Sequence, residues 1–313
     1  MPTPPFLALV GPTASGKTDA ALRIARTLGA EIVSVDSMLV YRGMDVGTAK
    51  PTAEERSLVP HHLLDLAEPG EAFSVAQYQR LARDAVAGVR DRRRRPLLVG
   101  GSGLYFRAVV DGLEFPATDP ATRQALEAEA SGVGASTLHG RLRSFDPAAA
   151  GKIEPGNLRR TVRALEVAAV TGRSFSSFAQ SWQRYPEGRV RAAGIELDRS
   201  ELTSRIESRV RAMLKGGLLE EVRRLVEDGR GPSLTAGQAI GYAEIIEHLA
   251  GRATLEEAVL RTVKRTKALA RRQLAWFRRD PRIRWFRAGP EGATGIAEEL
   301  AEYLDGDQQV DQT

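Results

Sequence analysis

Residues 11–18 read Gly11-Pro12-Thr13-Ala14-Ser15-Gly16-Lys17-Thr18, the G-x-x-x-x-G-K-[ST] spacing of an anion cradle. The glycines let backbone amides wrap a phosphate, and a helix beginning at Lys17 adds partial positive charge. Lys17 supplies a point charge to the outer phosphate, and the Thr18 hydroxyl can ligate Mg²⁺. The pattern implies a bound di- or triphosphate without saying what the phosphate is attached to, and a kinase would hold a nucleotide such as ATP in the same way. The second chemical group is Asp36, which follows Val33-Ser34-Val35 where a strand leaves the sheet. Three roles fit it: general base, second-shell ligand of magnesium, or cap of the next turn.

These groups need a scaffold, and the apolar pattern supplies one. Residues 6–10 form a short apolar run between prolines and a glycine, which reads as a buried strand. A helix follows, with Ala20, Ala21, Ile24, Ala25 and Leu28 at helical spacing. Residues 30–35 read as a second strand, 73–95 as a helix, and 96–99 as a third strand ending in Gly100-Gly101. Strand, helix, strand in that order implies a parallel sheet with right-handed crossovers, whose ligands sit beyond the carboxyl ends of the strands. Both the cradle and Asp36 lie at that end. The fold class expected is therefore α/β, a P-loop parallel sheet flanked by helices.

From residue 119 to 189 the sequence turns helical and rich in Ala, Arg and Glu, with breaks at Gly132, Gly134, Pro147 and Pro155-Gly156. This predicts an α-helical insertion at 119–189 in a catalytic core made of residues 1–118 and 190–305, with a polar tail at 306–313. Residues 192–197 read as a returning strand, and 201–228 and 255–279 as long amphipathic helices.

Forty-five Lys and Arg against forty Asp and Glu leave a formal charge of +5, which permits a nucleic-acid partner without requiring one. The absence of cysteine excludes disulfides, thiolate catalysis and Cys-based zinc sites. The N-terminus has no basic n-region, and the run at 6–10 is too short for a membrane span, so a cytoplasmic protein with no membrane partner is expected. His61 and His62 are adjacent on a turn with no third ligand nearby and read as structural. The run Arg92–Arg95 reads as solvated.

Several longer stretches resemble one family closely: VDSMLVYRGMDVGTAKP at 35–51, PHHLLD at 60–65, LLVGGSGLYF at 97–106 and LRRTVRALE at 158–166, together with residues 11–18, 205–221, 239–242 and 271–277. In this order they resemble the bacterial tRNA dimethylallyltransferases, also called isopentenyl-diphosphate:tRNA isopentenyltransferases, across nearly the whole chain. The resemblance implies alkylation of N6 of the adenosine 3′-adjacent to the anticodon. Dimethylallyl diphosphate would be the donor, the tRNA anticodon stem-loop the partner, Mg²⁺ the cofactor and a monomer the working unit.

It also implies roles for individual residues. Asp36 would be the base; Lys17, Thr13 and Arg209 would complete the catalytic set. Residues 11–18 and Arg205 would hold the diphosphate. Contacts to tRNA would fall on Asp36, Ser37, Met38 and Leu39, on Ser102 (the family usually has Thr) and on Arg123. They would continue over Arg159, Arg160, Thr161, Val162 and Arg163, and over Gln238, Ala239, Ile240, Gly241 and Tyr242. Arg261, Arg265, Arg272 and Arg279 form a further stripe that fits either an RNA surface or a solvated face. Two competing functions remain: a P-loop small-molecule or nucleotide kinase, and a non-catalytic tRNA-binding protein. The turn Gly100-Gly101-Ser102-Gly103 after the third strand, where a kinase would place an acidic residue, speaks against the first. Intact Lys17 and Asp36 speak against the second.

Overall fold

The computed structural model describes residues 5–178, 182, 184–227 and 234–306. They divide into two compact units, one formed by Met1–Gly112 with Pro186–Thr313 and the other by Leu113–Tyr185.

The first unit is built on six parallel strands: β1 (Phe6–Val10), β2 (Ala30–Ser34), β3 (His61–His62), β4 (Arg95–Gly100), β5 (Val190–Glu196) and β6 (Ile283–Arg287), in the order β3-β2-β4-β1-β5-β6. Successive side chains of β1 serve opposite faces. Ala8 and Val10 join one apolar cluster with Val33, Leu98 and Phe106, and Leu7 and Leu9 join another with Ile24, Leu97 and Ile195. Both faces are buried, as a parallel sheet covered by crossover helices requires. Each such Leu contributes about 1.5–3 kcal/mol on burial.

Four helices belong to the N-terminal part of this unit: α1 (Lys17–Leu28), α2 (Ala53–Leu58), α3 (Val75–Asp91) and α4 (Gly103–Val110). α2 and α3 begin with reciprocal capping boxes, Thr52 with Glu55 and Ser74 with Gln77, which fix where each helix starts. At the carboxyl end of β4, a side chain on Gly100 would meet the carbonyl oxygen of Val35 at 2.5 Å. Glycine there lets the chain leaving β2 pass close enough for the Ser102 amide to donate to Val35, at 3.2 Å.

The second unit holds α5 (Pro120–Val133), α6 (Ala135–Phe145), α7 (Pro147–Ala150), α8 (Leu158–Thr171) and α9 (Phe175–Phe178) around Leu126, Leu138, Leu142, Ile153, Val162 and Leu165. Buried Asp146 ties two of its turns together, accepting from the amides of Ala149 at 3.0 Å and Ser176 at 2.8 Å.

After β5 the first unit resumes with α10 (Arg199–Lys215), α11 (Leu218–Glu227), α12 (Leu234–Gly237), α13 (Tyr242–Leu249), α14 (Leu255–Phe277) and α15 (Ala297–Asp305). The sequence expectation of one helix over 201–228 is corrected. The chain breaks at Gly216-Gly217, where Gly217 takes φ 95° and redirects the second half. Residue 228 and the polar tail from 307 onward lie outside the described residues. Strands β3 and β6 are additions to the elements expected from sequence. Arg92, Arg93 and Arg94 are exposed, as expected of a solvated run, with Arg92 pairing with Glu31 at 2.6 Å; Arg95, the first residue of β4, is part-buried and pairs with Asp305. Glu31 also takes His62 Nε2 at 2.7 Å, so that histidine sits in an ion cluster at the strand edge. No helix among the described residues is long and apolar enough to cross a membrane.

Candidate active site

The loop between β1 and α1 is held from outside. When amides of a turn face inward around an anion, its carbonyls face outward and need donors. Ala14, at φ 64°, offers its carbonyl to Arg205 Nε at 2.9 Å, and Ser15 offers its carbonyl to the Ala293 amide at 2.9 Å. Arg205 Nη1 reaches on to the Pro290 carbonyl at 2.6 Å, so one guanidinium clamps the cradle to the turn before α15. Gly292 belongs to that turn, and a Cβ there would meet the Ser15 oxygen at 2.8 Å. Thr13 is fixed from the other side, its amide donating to Gln273 Oε1 of α14 at 2.8 Å.

Lys17 folds back over its own loop, with Nζ 2.5 Å from the Pro12 carbonyl and 3.2 Å from Ser15 Oγ. Its pKa falls to about 7, mainly because the ammonium is desolvated and secondarily because Arg209 faces it, while Asp36 pulls the other way. Arg209 comes from α10, one turn beyond Arg205, and donates to the Thr48 carbonyl at 3.3 Å. Burial lowers its pKa and Asp36 opposes that shift. Asp36 Oδ1 accepts the Met38 amide at 2.8 Å, which orients the carboxylate as the chain leaves β2. That bond satisfies the capping role, and the same carboxylate shares a cavity wall with Lys17 and Arg209, whose charge it favours.

Lys17, Asp36, Thr48, Arg205, Arg209 and Gln273 open onto one cavity of about 1210 Å³. Of the site residues expected from sequence, Thr13, Ala14, Ser15, Gly16, Lys17, Thr18, Asp36, Leu39, Arg205 and Arg209 line it. Gly11, Pro12, Ser37, Met38, Ser102 and residues 238–242 do not. Gln273, Lys50, Asp45 and Thr48 also line it and were not singled out from sequence, although each fell inside or beside a stretch matched to the family. Lys50 is fully buried between Asp45 and Asp65, 2.7 Å from each.

The residues expected to meet RNA separate into two groups. Arg159 and Arg160 are exposed on α8, and Gln238 is exposed. Thr161 and Val162 on α8, Ala239 in the turn before α13 and Tyr242 at the start of α13 are buried and pack inside the fold. Arg163 is spent on Glu166 at 2.9 Å and on the carbonyls of Pro116 and Ala117, and Arg123 meets the same Glu166 at 2.8 Å. Burial would raise the pKa of Glu166, but the two arginines and the Asp119 amide hold it below the usual range. On α14, Arg265 is occupied by Glu244 and by the Gln238 carbonyl at 3.1 Å.

A magnesium ion at this loop would find hard oxygen chemistry: the Thr18 hydroxyl at the start of α1, with carboxylates of Asp19 and Asp36 also on the cavity wall. No cluster of three His, Cys, Asp or Glu able to hold a metal occurs among the described residues. The donor set therefore fits an ion that takes most of its ligands from a diphosphate and water, with Thr18 as a protein ligand.

The sequence profile of the IPP transferase family matches residues 39–280. The chain belongs to that family. It is 48% identical over 309 residues to a protein of Nocardioides named tRNA dimethylallyltransferase, covering 97% of this chain and 99% of that one. Its fold is similar to the crystal structure of a full-length tRNA isopentenylpyrophosphate transferase from Bacillus halodurans, with TM-score 0.68, 39% identity and 97% of both chains covered. A eukaryotic dimethylallyltransferase captured acting on tRNA, at 21% identity and TM-score 0.77, shares the fold. Members of this fold have the P-loop NTPase-like architecture of the first unit.

Proposed function

We propose that this protein transfers a dimethylallyl group from dimethylallyl diphosphate to N6 of the adenosine 3′-adjacent to the tRNA anticodon, releasing diphosphate. The observation that carries the reading is that Asp36 shares one cavity with Lys17 and Arg209. The exocyclic amine is a poor nucleophile because its lone pair is delocalised into the purine ring. As the N6–C1 bond forms, Asp36 accepts the N6 proton, a general-base contribution of about 10²–10⁴-fold. The C1–O bond breaks toward the cradle, where charge growing on the diphosphate meets the Lys17 ammonium, the Arg209 guanidinium, the Thr13 side chain and the loop amides. Mg²⁺, when bound, neutralises diphosphate charge, and Thr18 is the residue that would hold it.

Reaching a carboxylate inside a cavity requires the adenine to leave its stack, as enzymes acting on bases generally require. Of the RNA-contacting set, Arg159, Arg160 and Gln238 are exposed, and Asp36, Ser37, Met38, Leu39, Ser102, Arg123, Arg163 and Ile240 are part-exposed. The test combines anticodon stem-loop RNA, dimethylallyl diphosphate and Mg²⁺, and reads the RNA by mass spectrometry for one added prenyl group. Asp36→Ala is expected to abolish transfer while leaving RNA affinity largely intact. ATP turnover with phosphate appearing on an acceptor, and no prenylated RNA, would replace this reading with the kinase.

A further inference from the structure

Tyr242 and Glu221 lie outside the cavity, yet they control a piece of its wall. Glu221 of α11 is 3% exposed and its carboxylate accepts four hydrogen bonds: from the amides of Asp45 at 3.0 Å, Val46 at 2.8 Å and Gly47 at 3.1 Å, and from the Tyr242 hydroxyl at 2.6 Å. Three consecutive amides on one carboxylate leave the 45–47 backbone a single position. Tyr242, at the first turn of α13, is itself 2% exposed. Its ring closes over Gly47 so tightly that a Cβ there would meet Tyr242 Cε2 at 2.5 Å.

The turn is also closed on itself. Lys50 Nζ meets the Asp45 carboxylate at 2.7 Å, and the Lys50 amide donates to the Asp45 carbonyl at 2.9 Å. Thr48 Oγ1 donates back to the Met44 carbonyl at 2.6 Å. A turn locked in this way presents one fixed acceptor toward the cation cluster, the Thr48 carbonyl that takes Arg209.

Building on the transfer reaction proposed above, we infer that the Glu221–Tyr242 pair positions Arg209 for the leaving diphosphate, acting through the 45–48 turn. Tyr242 therefore serves the chemical step from inside the fold and does not read RNA. An arginine on a helix surface has several rotamers, and the Thr48 carbonyl selects among them. Removing the Tyr242 hydroxyl takes away one of the two hydrogen bonds on Glu221 Oε1, which also accepts the Gly47 amide; this loosens the turn and lets the guanidinium drift, which weakens transition-state charge stabilisation without removing any group from the cavity.

The test is a double-mutant cycle of Tyr242→Phe with Arg209→Ala, repeated with Glu221→Gln in place of Tyr242→Phe. Tyr242→Phe keeps the ring against Gly47 and removes only the hydrogen bond. The readouts are the prenyl transfer rate at saturating substrates, the affinity for inorganic diphosphate by calorimetry, the Kd for anticodon stem-loop RNA, and thermal unfolding. Tyr242→Phe is expected to lower the saturated rate about tenfold, the scale of one hydrogen bond to a charged group. Diphosphate affinity is expected to weaken too, with RNA Kd unchanged within about twofold, and both effects should vanish in the Arg209→Ala background. A raised RNA Kd at unchanged rate would overturn the proposal, as would equal effects in both backgrounds or a change in melting temperature alone. Should wild-type protein transfer no prenyl group, the assigned reaction fails; the diphosphate cycle, which needs no turnover, still decides whether the pair acts through Arg209.

Discussion

Arg205 Nε donates to the Ala14 carbonyl at 2.9 Å, and Ala14 is a non-glycine residue held at φ 64° in the middle of the phosphate loop. A left-handed alanine costs roughly 1–2 kcal/mol, so the loop keeps its shape only because neighbours enforce it. Arg205 is the neighbour that reaches two carbonyls at once, Ala14 and Pro290.

Arg205→Ala is expected to weaken diphosphate binding on the order of 10-fold or more, since a hydrogen bond to a charged donor is worth about 1.5–3 kcal/mol. The effect should appear mainly in the KM for the donor. Arg205→Lys should recover only part of it, because an ammonium cannot span both carbonyls as the planar fork does. Steady-state kinetics with calorimetry of inorganic diphosphate checks this, and a full rescue by lysine would show that only charge matters.

The depressed pKa of Lys17 gives the reaction a pH signature. In the free protein the ammonium is lost as pH rises through about 7, whereas an exposed lysine would hold its proton to about 10.5. A bound diphosphate favours the charged form, so binding above pH 7 must take up a proton. For the donor, kcat/KM is expected to be level on the acid side of this pKa and to fall with rising pH above it. Calorimetry at pH 8 in two buffers of different ionisation enthalpy should register close to one proton taken up. No uptake at pH 8 would show that Lys17 is already charged in the empty cradle.

The phosphate loop is legible in the sequence because everything it needs is contiguous: strand, glycines, Lys17 and helix occupy residues 6–28. Asp36 is legible as a candidate because strand ends at one edge of a parallel sheet are where ligands gather. The scaffold behind these groups is not. Glu221 serves amides 174 to 176 positions earlier in the chain, and no local pattern announces such a partner. Strand β3 has two residues, too few for any periodicity to register. The break between α10 and α11 is hidden because apolar residues keep helical spacing on both sides of Gly216-Gly217. Tyr242 reads as an RNA contact from its motif, and its packing against Gly47 and Glu221 has no local signature in the sequence.

A buried ion network lies at the end of α4. Arg282 meets Asp111 at 2.6 Å and Asp280 at 2.7 Å, with all three side chains at most 6% exposed, and Arg107 joins through Asp111. Burial works against the charge on Arg282, but the two carboxylates hold its pKa above the usual arginine value. Removing Asp111 takes a carboxylate from both Arg282 and Arg107, and breaking a buried ion pair costs about 3–5 kcal/mol. Asp111→Ala is therefore expected to lower the denaturant midpoint strongly in chemical unfolding, whereas Asp198→Ala, which breaks an exposed pair with Arg287, should change it little. Equal midpoints for the two variants would mean that the network is solvated in solution.

The arginines of α8 divide by what they already hold. Arg163 is committed to Glu166, Pro116 and Ala117, while Arg159 and Arg160 are exposed at the start of the same helix. If α8 meets RNA phosphates, the exposed pair must neutralise them. Arg159→Ala and Arg160→Ala are each expected to weaken anticodon stem-loop binding and to reduce the slope of log K against log salt by about 0.7–0.9 for each phosphate left without its arginine, with melting temperature unchanged. Arg163→Ala is expected to do the opposite. Glu166 is fully buried and would lose one of its two cations, so the variant should unfold more readily while its salt slope stays near that of the parent. Salt titrations of RNA binding beside thermal melts separate the two behaviours, and a normal salt slope in both exposed variants would remove α8 from the RNA surface.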